Sequence, residues 1–281
     1  MATSQSRTYP TVRPSFPDKP GSSRTNVWAI IGIVVLAIAL IAGYVMFFKS
    51  KERTQQAACA LVIDRTSSVG SLTPTLRHMA SVAVQGCASA DASLSVWYLD
   101  QRGVKANLAA SSIPLWGGSF SPKVSDQKRE AALARANRAV GKAFADQTLG
   151  PTRGSDLVTA VYTAASSLKS DAAKAGISHL YLIVLTDGIQ SSTGTVSVVG
   201  LTNPGADVAP LIAQVKQDGL VPPLQGVSVD MVGVKGGQTL SGQQPTAAFE
   251  ANVQRFWQQY VAAGGGSIGT YQAVETELPR G

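Results

Sequence analysis

Two aspartates stand where apolar runs end. Ala60-Leu61-Val62-Ile63 leads into Asp64, which is followed by Arg65, Thr66, Ser67 and Ser68; Tyr181 to Leu185 leads through Thr186 into Asp187 and Gly188. Between them in the chain, Thr152-Arg153-Gly154-Ser155-Asp156-Leu157 opens a helical pattern with two hydroxyls and a carboxylate. A carboxylate with hydroxyls two and four positions later, on a loop curling into a helix, can present three oxygens toward one point. Such donors suit a hard divalent cation. Magnesium takes about six oxygens near 2.1 Å and keeps several waters, so two carboxylates and a few hydroxyls from three loops form an adequate set. Taken singly, each of these residues could instead cap a helix, since Ser, Thr and Asp before a helix satisfy its free N–H groups. Ser67 is read that way.

The elements that must position these groups alternate along the chain. Strand patterns fall near 59–64, 93–99, 104–110, 179–186, 227–234 and 267–274; helical patterns fall near 72–86, 124–147, 155–170, 206–218 and 247–264. Strands alternating with helices predict βαβ units and a doubly wound α/β fold, with a mostly parallel central sheet flanked by helices. The unbroken apolar run His179–Thr186 agrees, because a central parallel strand is buried on both faces. In such sheets ligands gather beyond the carboxyl ends of the strands, where Asp64 and Asp187 fall. Gly70 and Gly188 are read as turn residues allowing close backbone approach.

With those motifs in place, the chain resembles a known family. D-x-T-x-S at 64–68, G-S-D-L at 154–157 and T-D-G at 186–188 resemble, in order, the three loops of the metal-ion-dependent adhesion site of von Willebrand factor A-type (vWA) domains. The resemblance covers roughly residues 57–275. It implies a vWA/Rossmann-like fold and a divalent cation, magnesium first with calcium or manganese as alternatives. Asp64, Thr66 and Ser68 would form the first loop, Ser155 the second and Asp187 the third. It further implies a protein partner whose acidic residue completes the coordination. Thr66 stands where the family more often has Ser. Ser155 stands where Thr is usual, which leaves Thr152 or Asp156 as alternatives for the second loop. In the family fold Cys59 would start the first strand and Cys87 would end the first helix, at the face opposite the metal, so a disulfide between them is expected, with two unrelated thiols as the alternative.

The charge balance bears on partners and compartment. Of the 24 Lys and Arg residues seven lie in 1–53, against two acids there; the remaining body is nearly neutral and poor in aromatics, which disfavours nucleic acid. The cause is Val27–Phe48, 22 residues without a charge, flanked by Arg24 and by Lys49, Lys51 and Arg53. At a helical rise this run can cross roughly 30 Å of hydrocarbon, and Trp28, Tyr44, Phe47 and Phe48 fall near its interfaces. It exceeds the apolar region of a signal peptide. The expected organisation is a flexible basic cytoplasmic tail (1–26), one transmembrane helix (27–48), a tether (49–56) and the vWA-like domain (57–281) outside the cytoplasm, at the cell surface. Two cysteines are too few for a structural zinc site and suit an oxidising compartment.

Enzyme readings are weaker. Gly265-Gly266-Ser267-Ile268-Gly269 matches G-x-S-x-G, but Ser267 follows a helix, precedes a strand and has no later histidine, unlike a nucleophile elbow. Ser166-Ser167-Leu168-Lys169 matches S-x-x-K late in a helix without companion motifs. A magnesium-dependent phosphohydrolase of haloacid-dehalogenase type needs a second acid where this chain has Thr66. His78 and His179 read as surface or edge residues. The expectation is a binding module, not an enzyme. The alternative is a metal-independent scaffold subunit of a membrane complex, or a client of an ATPase chaperone if the domain is cytoplasmic.

Overall fold

The computed structural model describes residues 31, 35–41, 55–99, 106–118, 122–145, 155–192, 195–234, 245–273 and 278. The chain divides into two compact units, Met1–Ser50 and Lys51–Gly281. In the first, the expected 1–26 tail lies outside the described residues, as does most of 27–48. Within the apolar run, Ile31 and residues 35–41 are helical, and Val35, Leu36, Ile38, Leu40 and Ile41 are 60% to 65% exposed. Among the described residues no helix is long and apolar enough to cross a membrane.

The second unit is an α/β domain. Its strands are β1 (Ala57–Ile63), β2 (Ala92–Leu99), β3 (Ala106–Pro114), β4 (His179–Leu185), β5 (Val227–Val232) and β6 (Ser267–Gln272). The helices between them are α1 (Thr73–Ser89), α2 (Pro122–Ala145), α3 (Leu157–Ala175), α4 (Ala209–Gln217) and α5 (Ala247–Ala263), and a 3-10 helix, Ser67–Leu72, precedes α1. The six strands run in the order β3-β2-β1-β4-β5-β6. All neighbours are parallel except the edge pair β2–β3. The predicted doubly wound architecture is therefore present, with its boundaries within a few residues and one antiparallel edge strand.

Two apolar cores flank the sheet. Alternate residues of β1 feed them: Ala58, Ala60 and Val62 face one, while Ala57, Cys59, Leu61 and Ile63 face the other. Every residue of β1 is buried, as a strand covered on both faces requires. α3, α4 and α5 cover the first core and α1 and α2 the second. The helix read near 124–147 thus turns an apolar stripe, Ala132, Ala136, Ala139, Val140, Ala143 and Phe144, onto the sheet. Lys128, Arg135, Arg138 and Lys142 are exposed, while Arg129 donates to the last-turn carbonyl of Ala88 at 2.7 Å.

Cys59 and Cys87 form a disulfide with a Cα–Cα separation of 6.3 Å, joining the start of β1 to the end of α1. Both sulfurs are buried in the second core, within the separation that a disulfide spans.

Candidate functional site

β1 and β4 are adjacent and end in register, Ile63 opposite Leu185. The next residues, Asp64 and Thr186, therefore leave the sheet side by side, at the point where the strand order reverses. The Asp64 N–H donates to Leu185 O at 2.8 Å. Asp64, Thr66, Ser155, Thr186 and Asp187 are all at most 3% exposed.

The three loops meet at the Asp64 carboxylate. Thr66 donates to Oδ1 from its backbone N (2.9 Å) and from its hydroxyl (2.8 Å). Ser155 Oγ lies 3.3 Å from Oδ1, 3.2 Å from Oδ2 and 3.2 Å from Thr66 Oγ1. Ser68 Oγ is 3.1 Å from Thr66 Oγ1. Each hydroxyl has one proton and two lone pairs. A hydroxyl that gives its proton to Asp64 keeps lone pairs for a cation, so the bonds that organise the cluster do not consume its donor capacity.

Asp187 completes the set from the third loop. Its Oδ1 accepts from Ile189 N at 2.9 Å, while Oδ2 is buried and accepts no hydrogen bond. Burial, and then the neighbouring Asp64 charge, push its carboxyl up to about 7, against the opposing effects of the Ile189 N–H and the Ser68 hydroxyl. Asp64 is likewise raised by burial, opposed by the hydrogen bonds of Thr66, Thr186 and Ser155. Two carboxylates repelling each other in a desolvated site, one with an orphaned oxygen, are what a cation would neutralise. By this test the residues fit a hard divalent ion. Among the described residues no three of His, Cys, Asp and Glu cluster as metal ligands; the donors here are two carboxylates and hydroxyls.

All five residues singled out in the sequence, Asp64, Thr66, Ser68, Ser155 and Asp187, come together. Of the alternatives for the second loop, Asp156 caps α3, accepting from Thr159 N at 3.3 Å, and is turned into a separate network with Gln190 and Thr195. Thr152 lies outside the described residues. Gly188 has φ +81° and forms the turn read for it, with Tyr271 OH 3.3 Å from where a Cβ would stand. Gly70 does not fit its reading: it lies in the 3-10 helix with open space where a Cβ would be.

Several residues that hold the site were not singled out. Thr186 Oγ1 donates to Asp64 Oδ2 at 2.8 Å and accepts from Gly188 N at 2.9 Å, locking the first loop to the third. Its hydroxyl between an apolar strand and an aspartate was the available signal. Ser191 bonds Ser155 twice: its Oγ accepts from Ser155 N at 2.9 Å, and its N–H donates to Ser155 O at 3.0 Å. Gln190, fully buried, accepts from Val158 N and donates to Val196 O, both at 3.0 Å. Polar side chains of α5 reach these loops and the first turn of α3 as well. Trp257 Nε1 donates to Gly188 O at 2.8 Å, Asn252 Nδ2 to Leu201 O and Asn203 O, and Tyr260 OH to Val158 O. Gly233, φ +99°, passes beneath Thr186, where a Cβ would stand 2.6 Å from its carbonyl oxygen.

No protein-family model and no curated protein matches the sequence. Among solved structures the chain is similar to the pilus adhesin SpaC from Lactobacillus rhamnosus GG, with TM-score 0.44 and 12% identity over 79% of this chain and 29% of that one. It is also similar to the human COPII-coat protein Sec24c, with TM-score 0.35 and 11% identity over 80% of this chain and 31% of that one. The chain thus spans about a third of the length of each, and likenesses this loose bear on neither site nor function. Its own geometry defines a doubly wound α/β domain with an oxygen-lined, doubly acidic cluster at the carboxyl end of the sheet.

Proposed function

We propose that the chain is a membrane-anchored, vWA-like binding module that engages a protein partner through a divalent cation, magnesium best matching the donors. The observation that supports this most is the burial of Asp64 and Asp187 together, with Asp187 Oδ2 left without a hydrogen bond and hydroxyls of two loops on Asp64. Asp64, Thr66, Ser68, Ser155 and Asp187 would hold the ion. Bound there with one position open, it supplies an electrophilic centre for a carboxylate oxygen of the partner. The protein's own part is to fix the donors. Thr186 and Thr66 set the Asp64 carboxylate from two sides, Ser191 sets Ser155, and Trp257 sets the turn at Gly188. Of the 189–204 segment, Ser191 touches the cluster through Ser155, and the segment would contact the partner.

The anchor rests on the 22-residue apolar run and its flanking charges. A buried disulfide favours an oxidising compartment for the domain and weighs against a cytoplasmic client of an ATPase.

Binding of Mn²⁺ to the full chain, followed by electron paramagnetic resonance and competed with Mg²⁺, tests the site. Saturable binding lost in Asp64→Ala, with circular dichroism unchanged, is the expected result. Equal affinity in the two proteins would refute the site. The partner is then sought with a photocrosslinker at Ser192: an adduct that forms in Mg²⁺ and vanishes in EDTA supports the cation bridge, and one indifferent to EDTA supports the metal-independent scaffold. Protease accessibility in intact cells against spheroplasts decides the topology.

A further inference from the structure

At the end of the sheet opposite Asp64, the corner between β3 and α2 forms a hollow of about 520 Å³ that is open to solvent. Pro114, in its wall, pairs with Ser93 at the start of β2, whereas Asp64 follows the end of parallel β1. Ile113, Pro114 and Trp116 line the cavity from the strand side, and Ala131 and Ala132 line it from the helix. Lys128 and Arg135 line it too. Positions 128, 131, 132 and 135 share one face of α2, so the two cations flank the alanine pair about 10 Å apart along the helix axis.

Neither cation is neutralised among the described residues. Lys128 Nζ makes a long 3.4 Å donation to Gly118 O, and Arg135 forms no ion pair or hydrogen bond there. The walls are fixed. Gly118 leaves the room that the Trp116 indole takes, since a Cβ there would stand 2.7 Å from Nε1. Gly117, φ +78°, presses the corner against α2, where a Cβ would stand 2.5 Å from Ser125 O. A pre-formed apolar hollow of ligand size with a few converging charged groups is the usual form of a small-molecule site. An exposed basic helix face alone would be a solvated surface; the hollow beneath this one distinguishes it.

We propose that this cavity binds a small organic acid with an apolar, ring-sized body, such as an aromatic carboxylate. The ring would displace water from Pro114 and Trp116, with the indole offering a stacking surface. The carboxylate would be taken by Arg135, whose planar fork matches it, or by Lys128. Alanines at 131 and 132 leave the volume that larger side chains would fill. The proposal stands apart from the cation site.

The test is isothermal titration of the full chain in phosphatidylcholine nanodiscs, with empty discs as blank, using 2-naphthoate and its neutral counterpart 2-naphthamide. Naphthoate is expected to bind saturably and about tenfold more tightly than the amide, the size of one charge-assisted hydrogen bond. The double variant Lys128→Gln/Arg135→Gln is expected to remove that preference. Ala131→Leu, on an exposed position, is expected to block both ligands with the charges intact, and EDTA to change nothing. Equal binding of acid and amide, a double variant that keeps the preference, unaltered binding in Ala131→Leu, loss of binding in EDTA, or no saturable binding of naphthoate would each overturn it.

Discussion

Replacing Asp187 by Asn separates the electrostatic cost of the acidic cluster from its use. Asp187 is 3% exposed, and burial beside Asp64 moves its carboxyl from 3.8 to about 7. A native value above the unfolded one means that the folded state binds the proton more tightly. The stability this gives is fully present below about pH 4 and is lost as pH rises through about 7. At pH 8 without a cation the native domain therefore carries a penalty on the order of 4 kcal/mol, because each pH unit between the unfolded and folded values corresponds to about 1.4 kcal/mol. Asn keeps the shape and the acceptor for Ile189 N, removes the charge, and adds an N–H₂ on the side of the oxygen that now has no donor. Allowing for the cost of a buried amide, Asp187→Asn should stabilise the cation-free domain by roughly 2–4 kcal/mol, or about 5–15 °C for a domain of this size. The assay is thermal unfolding of the full chain by tryptophan fluorescence, in EDTA and in about 10 mM Mg²⁺, from pH 5 to 8. In EDTA the parent chain should gain stability as pH falls from 8 to 5, while the variant changes much less. Magnesium at pH 8 should raise the midpoint of the parent by mass action and leave that of the variant unmoved. A variant less stable than its parent in EDTA at pH 8, or one still stabilised by Mg²⁺, would refute the reasoning.

Ser155→Ala should weaken Mn²⁺ binding about tenfold, as loss of one charge-assisted contact does, with little change in the midpoint. Asp156→Ala should do the reverse: it removes the α3 cap at about 1 kcal/mol and leaves Mn²⁺ affinity alone, so titrating both variants tests the choice between neighbours. Thiol labelling of the denatured, unreduced chain should find neither cysteine; reduction should lower stability by about 3–4 kcal/mol, measured by urea unfolding. Gly188→Ala should cost about 1–2 kcal/mol, since φ is +81° and the left-handed region disfavours a Cβ; the same unfolding assay reads it.

The fold was legible because its signals are local. Asp64 and Asp187 mark the ends of strands whose apolar runs have no polar alternation, and every β–α boundary carries a change of hydrophobic period. The five clustered residues were legible for a related reason: a strand end in a parallel sheet fixes where the next side chain goes, so the type of residue there is almost its position. The antiparallel sense of β3 was not legible, because direction depends on how a segment returns, and residues 106–114 read the same either way. Gln190, Asn252 and Trp257 were hidden for another reason. They lie in segments that pattern alone assigns to a loop and to a helix, and their bonds to the site span 32 to 69 residues of sequence.

Those distant bonds explain how the cluster survives its own repulsion. Two buried carboxylates on separate loops should push the loops apart, and an unsupported loop would give way to water. Here neither loop is free to move. Asp64 is held by Leu185 O and Thr186, Gly188 O by Trp257 of α5, and Ser155, between them in the chain, by Ser191, with Asp156, Gln190 and Thr195 closing a network behind. α5 is itself fixed in the core by Phe256, Trp257 and Tyr260, whose rings contact one another at 5.2 to 6.1 Å. The repulsion is thus kept as a raised Asp187 carboxyl and is not relieved by opening. Donors held in this way would be preorganised for the proposed cation, since little reorganisation would remain to oppose binding. Trp257 and Ser191, which hold the turn at Gly188 and the Ser155 loop, therefore matter to affinity as well as the oxygens in front of them.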